Sequence, residues 1–234
     1  MKLGIMQPYL FPYIGYFQLI NSVDKFVIYD DVNFIKQGWI NRNRILSPQG
    51  DLLFTVPLKK AGSFSKIKEI ELNDKLYKDW KAKFFKTLEQ TYRKAPYFYD
   101  SANVIDSILS EHNPSISDLA YVSLKNICDY LNIQKDFVQT SSIYNNQSLP
   151  GTERVIDICK QEKANHYINP IGGQTLYDKS YFNANGLELS FINSLPIEYK
   201  QFKNEFIPWL SIIDVIMFNS IEDIQALLNQ YKLI

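Results

Sequence analysis

Apolar and polar positions change period repeatedly along the chain, and each change predicts an element. Residues 3–6 are a short apolar run that the following QPYLFP cannot extend, because Pro8 and Pro12 remove backbone donors. Helical spacing over 13–20, with Gly15 in the first turn, and a β-forming run over 26–29 then predict a βαβ opening that ends in Asp30 and Asp31. Alternating runs over 39–46 and 52–57, joined by SPQGD, predict a β-hairpin. In an extended strand Trp39, Asn41 and Asn43 share one side, while Ile40, Arg42 and Arg44 share the other. Two guanidiniums at alternate positions need partners, so this stretch reads either as a solvated hairpin edge or as an anion-recognising strand.

A further strand is expected over 66–72, beyond a polar loop with Gly62. Asn73 is placed as the N-cap of a helix over 75–92, where Leu76, Trp80, Phe84 and Leu88 recur every four residues. Helices over 99–110 and 116–131 follow, separated by HNPS. Residues 137–140 predict a strand returning to the sheet, and Thr152 is expected to cap a helix with Val155, Ile156 and Cys159 facing inward. Strands over 167–168, 187–191 and 198–201, and closing helices over 212–218 and 221–231, complete the pattern. No internal repeat or linker interrupts it. The expected architecture is one α/β domain over 1–234, with a mainly parallel, Rossmann-like sheet, a β-hairpin and a helical insertion at about 75–131.

Composition narrows the function classes. Lys plus Arg equals Asp plus Glu at 25 each, which gives no general attraction to nucleic acid or acidic membranes. The 16 Tyr and 15 Phe exceed what packing alone asks for, and point to rings around a cleft. Cys128 and Cys159 lie far apart without metal-ligand spacing, the usage of a reducing compartment, and read as packing residues. The uncharged run 3–20 is broken by Gln7, two prolines and three tyrosines, so it reads as folded core instead of a signal or membrane segment. A soluble cytoplasmic protein without membrane insertion is expected.

Ligands of open α/β sheets bind beyond the carboxyl ends of the parallel strands. Four loops qualify: QPYLFP, YDD, TSS and NPIGG. Gly172 and Gly173 let the backbone approach a ligand or take positive φ, against the plain alternative of a tight turn. Tyr177 and Asp178 follow at a helix start, where Asp178 serves as N-cap or as acceptor for a sugar hydroxyl. Asp30 and Asp31 offer a general base or a structural ion pair with Arg42 or Arg44. They lack His or Glu at ligand spacing, so no metal is expected. His166 is a candidate catalyst or a structural hydrogen-bonding residue, and His112 carries no signal.

Four ordered stretches, MQPYLFPYIGYFQLI, FVIYDDVNFIKQGWINRNRI, YINPIGGQTLYD and LSIIDVIMFN, resemble the WbqC-like protein family of bacterial surface-polysaccharide gene clusters. The resemblance highlights Gln7, Pro8, Pro12, Gly15 and Tyr16, then Asp30, Asp31, Trp39, Asn41, Arg42, Asn43 and Arg44. It continues through Asn169, Pro170, Gly172, Gly173 and Asp178 to Asp214 and Asn219. It implies N-acyl or N-aminoacyl transfer to a nucleotide-linked amino sugar. The donor would be a carrier-protein or coenzyme A thioester, with no tightly bound cofactor. In that reaction Arg42 or Arg44 would hold the sugar diphosphate, Asp30 or Asp31 would take the amine proton, and the NPIGG amides would hold the oxyanion. PYIGY also resembles a degenerate HxGH signature of nucleotidyltransferases, with Tyr13 and Tyr16 where His would stand. A non-catalytic protein that binds a nucleotide sugar or a partner enzyme is the third class. The 39–57 hairpin edge offers a surface for a second copy of the chain.

Overall fold

In the computed structural model, which describes residues 1–234 other than 61, 63, 112, 203 and 204, the chain opens with the expected βαβ unit. It consists of β1 (Lys2–Met6), α1 (Ile14–Ser22) and β2 (Lys25–Ile28). His112 lies outside the described residues. The prolines between β1 and α1 keep that segment irregular, so it crosses the end of the sheet without lengthening either element.

The hairpin follows as β3 (Arg42–Ser47) and β4 (Gly50–Thr55), a separate two-stranded antiparallel sheet. β3 begins at Arg42, not at 39, because residues 36–41 form turns and bends. The face assignment made for an extended strand therefore fails at its start. Trp39 folds back to the side of Arg42 and Arg44, whose guanidinium carbons lie 5.8 and 5.9 Å from its ring centre.

Residues 66–72 are not a strand: Ile67–Glu69 form one turn of 3-10 helix. Ile67 and Ile70 are both buried, and a spacing of three reaches one face only if the chain turns. The helical middle forms as α2 (Asp74–Tyr92), α3 (Phe98–Ser110) and α4 (Ile116–Tyr130), with the Asn73 side chain accepting from the Leu76 N–H at 3.4 Å. β5 (Asp136–Val138), α5 (Gly151–Gln161), β6 (His166–Pro170), α6 (Lys179–Ala184) and β7 (Glu188–Ser194) return the chain to the sheet. Pro150, and not Thr152, occupies the N-cap of α5.

Residues 198–201 form no strand. The Gln201 amide group takes the ladder's place, donating to the Ile207 carbonyl and accepting the Ile207 N–H at 3.1 and 2.8 Å. The chain closes with α7 (Ile212–Phe218), α8 (Ile221–Leu228) and β8 (Tyr231–Leu233). The helix expected to reach 231 stops at Leu228, and the residues beyond Asn229 pair antiparallel with β7.

The six-stranded sheet has the order β5-β2-β1-β6-β7-β8, with every pairing parallel except β7 with β8. It is a mixed α/β architecture whose main sheet is mainly parallel, as the sequence predicts. One core packs Phe17, Ile20, Phe26 and Ile28 with the helical middle, α7 and α8. A second packs Leu3, Ile5 and Val27 with α5 and α6 through Val155, Cys159 and Phe182. Both cysteines are buried, and burial pushes the Cys159 thiol up to about 12. Among the described residues no helix is long and apolar enough to cross a membrane.

Candidate functional site

β1 has β2 on one side and β6 on the other, so the crossovers diverge between β1 and β6. The crevice beyond the carboxyl ends of two such strands is where open α/β sheets hold ligands. A cavity of about 300 Å³ opens there. Its walls are Met6 at the end of β1 and Gln7 just beyond it, Tyr29 after β2, Asn169 and Pro170 at the end of β6, and Gly172, Gly173 and Tyr177 beyond.

Neither glycine adopts the left-handed backbone that the GG pair permits. Gly173 is required for space, since a Cβ there would lie 1.7 Å from Asn169 Nδ2. A Cβ on Gly172 would meet nothing within 4 Å. The Asn169 side-chain Oδ1 accepts from Tyr167 Oη at 3.1 Å, which fixes the amide at the crevice wall. Tyr177 lines the cavity, and burial raises its hydroxyl above the ordinary value. Asp178 caps α6, accepting from the Tyr181 N–H at 2.9 Å and from the Ser180 hydroxyl.

Asp30 and Asp31 lie beside this crevice but are 3% and 2% exposed. Asp30 accepts from Thr140 Oγ1 at 2.8 Å, Ser117 Oγ at 3.0 Å and the Ser141 N–H at 3.2 Å. Asp31 accepts from Arg154 Nη2 at 2.5 Å, Gln147 Nε2 at 2.9 Å and the Ser141 hydroxyl. The structural partner is thus Arg154, not Arg42 or Arg44. Burial raises the Asp30 carboxyl. Burial acts the same way on Asp31, but the hydrogen bonds and charge of Arg154, with Ser141 and Gln147, outweigh it and hold that carboxyl below its ordinary value. The pair therefore ties the loop after β2 to the loop after β5 and to α5. Arg154 also stacks 4.7 Å from the Tyr29 ring centre, bracing one crevice wall from behind.

The 7–13 segment separates this crevice from a second cleft of about 170 Å³, lined by Tyr9, Pro12, Tyr13, Trp39, Asn43, Arg44 and Trp209. Phe11 is fully buried with φ +43, and its carbonyl accepts from Asn43 Nδ2 at 2.8 Å and Ser211 Oγ at 2.7 Å. Such a left-handed backbone persists only when its surroundings over-determine it. The Asn43 amide is therefore committed to shaping the partition, and the Asn41 amide is committed to the Val56 carbonyl at 3.0 Å. Arg42 donates to the carbonyls of Gly38, at 2.9 Å, and Gln37. Arg44 pairs with Asp51 at 3.2 Å. Among the described residues its buried Nε has no partner.

Tyr13 lines the second cleft, whereas Tyr16 is buried and donates to the Gln7 carbonyl at 2.7 Å. The two rings placed where an HxGH motif carries its histidines do not share a site. Tyr13 and Trp209 also wall an adjoining trough of about 310 Å³, in which Glu198 stands among Ile14, Leu195, Ile197, Phe206 and Pro208. His166 starts β6, at the opposite end of the sheet from these hollows, with Nε2 2.9 Å from Ser190 Oγ. Burial lowers its pKa. Among the described residues no three of His, Cys, Asp and Glu gather as a metal-binding group.

The sequence reading missed Arg154, Trp209 and Glu198. Arg154 sits in the first turn of an amphipathic helix, where a charge reads as solvated. Trp209 and Glu198 belong to a stretch whose path depends on distant contacts.

The family model described as the WbqC-like protein family matches residues 7–226 of the chain. An uncharacterized protein of Mycobacterium tuberculosis, Rv1507c, is 32% identical over 222 residues, covering 93% of each chain. No solved structure matches the chain.

Proposed function

The chain belongs to the WbqC-like protein family, and from that premise we propose that it is a cytoplasmic transferase of surface-polysaccharide synthesis, moving an acyl or aminoacyl group from a thioester to the amine of a nucleotide-linked amino sugar. The observation that carries this reading is the crevice between β1 and β6. Gln7, Tyr29, Asn169 and Tyr177 bring polar groups to an otherwise aromatic and aliphatic wall. Such a hollow orients a polar ligand while restricting water.

In the reaction the neutral amine attacks the thioester carbonyl, the carbon–sulfur bond breaks, and the amine proton leaves with the departing thiolate as free thiol. Donors beside the carbonyl stabilise the oxyanion, and the Gln7 amide and Tyr177 hydroxyl are the side chains suited to that task. Asp30 and Asp31 act as positioning residues, holding Arg154 and through it the Tyr29 wall. The 310 Å³ trough suits the apolar part of the donor arm.

The test offers purified protein a panel of nucleotide-linked amino sugars, with acyl or aminoacyl thioesters of coenzyme A and of a carrier protein. Acylated sugar is read by mass spectrometry and free thiol by its absorbance after labelling. Transfer is expected, and Gly172→Leu, which fills the crevice from a position with open space around it, should abolish it while the protein stays folded. No product from any pairing, or product undiminished in Gly172→Leu, would overturn the reading.

A further inference from the structure

We infer that the cleft between the hairpin and the segment leading into α7 is a nucleoside-diphosphate subsite, with the base between Trp39 and Trp209 and the phosphates at Arg44. It rests on the transferase reading only in taking the natural ligand to be a nucleotide-linked sugar. The fit to a base and a diphosphate stands on the cleft itself.

Trp39 and Trp209 are large rings left 42% and 57% exposed on the walls of one cavity. Trp209 has φ +62, a backbone conformation that a bulky residue rarely adopts. Its ring meets Tyr13 edge-on, with centroids 5.7 Å apart. Strain of this kind clusters where a side chain is held ready for a ligand. The exposed indole is what the strained backbone presents.

Charge decides which ligand enters. Aromatic walls alone could hold a cation. Here the guanidiniums of Arg42 and Arg44 already lie over Trp39 and repel one. A flat ring carrying negative charge satisfies both walls. Arg42 is committed to the carbonyls of Gln37 and Gly38, whereas Arg44 holds the partly exposed Asp51 at 3.2 Å, a surface partner that a phosphate can displace. Arg44 is thus the arm for phosphate, with a planar fork suited to it. The Asn41 and Asn43 amides are occupied by backbone carbonyls, so stacking carries base binding without reading base identity.

The experiment titrates UDP, ADP, uridine and pyrophosphate against the full chain, with tryptophan fluorescence and calorimetry as readouts. Of the three tryptophans, Trp80 stacks on Phe84 in α2 and serves as the silent reporter. UDP and ADP should quench the emission saturably and bind with similar affinity, and Trp80→Phe should keep the quench. Trp209→Ala should weaken both diphosphates by about five-fold to a hundred-fold. Arg44→Gln should weaken UDP by about ten-fold to a hundred-fold and leave uridine little changed. Lys125→Ala, on the exposed face of α4, should leave UDP affinity intact.

Absence of calorimetric binding by either diphosphate would overturn the inference, as would binding indifferent to both Trp209→Ala and Arg44→Gln. Nucleotide binding of the expected kind without any acyl transfer would sink the transferase reading and leave this one standing.

Discussion

At the scale of single residues, two adjacent glycines make opposite demands. A methyl group at Gly172 enters open space, so Gly172→Ala should change stability by no more than about 0.5 kcal/mol. At Gly173 the same methyl collides with the Asn169 amide, and Gly173→Ala should cost about 1–3 kcal/mol through overpacking. Urea unfolding of the two variants separates these outcomes, and equal midpoints would contradict the packing described. The Asp31–Arg154 pair makes a second demand, because its side chains are 2% and 6% exposed. Arg154→Met should destabilise by about 3–5 kcal/mol by leaving a buried carboxylate without its counter-charge, and adding Asp31→Leu should restore much of the loss. That NPIGG and YDD lie together was legible from the chain, because both follow β-forming runs of one parallel sheet. Their atomic employment was not. Adjacent letters cannot say that Gly173 makes room for Asn169, or that Asp31 faces a helix more than a hundred residues away.

At the scale of elements, local periodicity served where local contacts decide. Asn73 caps α2, Asp178 caps α6, and the hairpin turn falls where Pro48 and Gly50 place it. The approach to β3 shows why other elements escaped. Alternation suggested a strand from residue 39, but Arg42 gathers the carbonyls of Gln37 and Gly38 and turns the chain over on itself. Arg42→Ala should therefore release Trp39, shifting its emission to the red and lowering stability by about 1 kcal/mol, since the bonds lie partly at the surface. Emission spectra in a Trp80→Phe, Trp209→Phe background isolate that ring; an unchanged spectrum would refute the account. β8 was hidden for a related reason. Residues 221–231 carry helical spacing, and only the open edge of β7 recruits the end of the stretch into the sheet.

At the scale of the molecule, Asp214 gathers elements that the sequence sets far apart. It is fully buried in α7 and accepts from Tyr92 at the end of α2, and from Tyr199 and Gln201 beyond β7, at 2.8, 2.6 and 2.7 Å. The Tyr92 hydroxyl in turn accepts from the Leu46 N–H of β3 at 2.7 Å. Burial raises the Asp214 carboxyl above the unfolded value of about 3.9. Between those two values the folded chain holds a proton that the unfolded chain has released, so this group's contribution to stability falls as pH rises through that window. Asp31 has the opposite sign: its depressed carboxyl contributes above the unfolded value and loses that contribution as pH falls through the folded one. Denaturation midpoints measured from pH 3 to 7 should show a shallower decline with rising pH in Asp214→Asn than in the native chain. A parallel pair of curves would contradict the shift. The wall shared by the second cleft and the trough carries a consequence for timing. Tyr13 and Trp209 are common walls of the cleft and the trough, so a guest seated against one face redraws the doorway of the other. On the proposed transferase reading, steady-state kinetics should then reveal a queue, with one substrate obliged to arrive before its fellow.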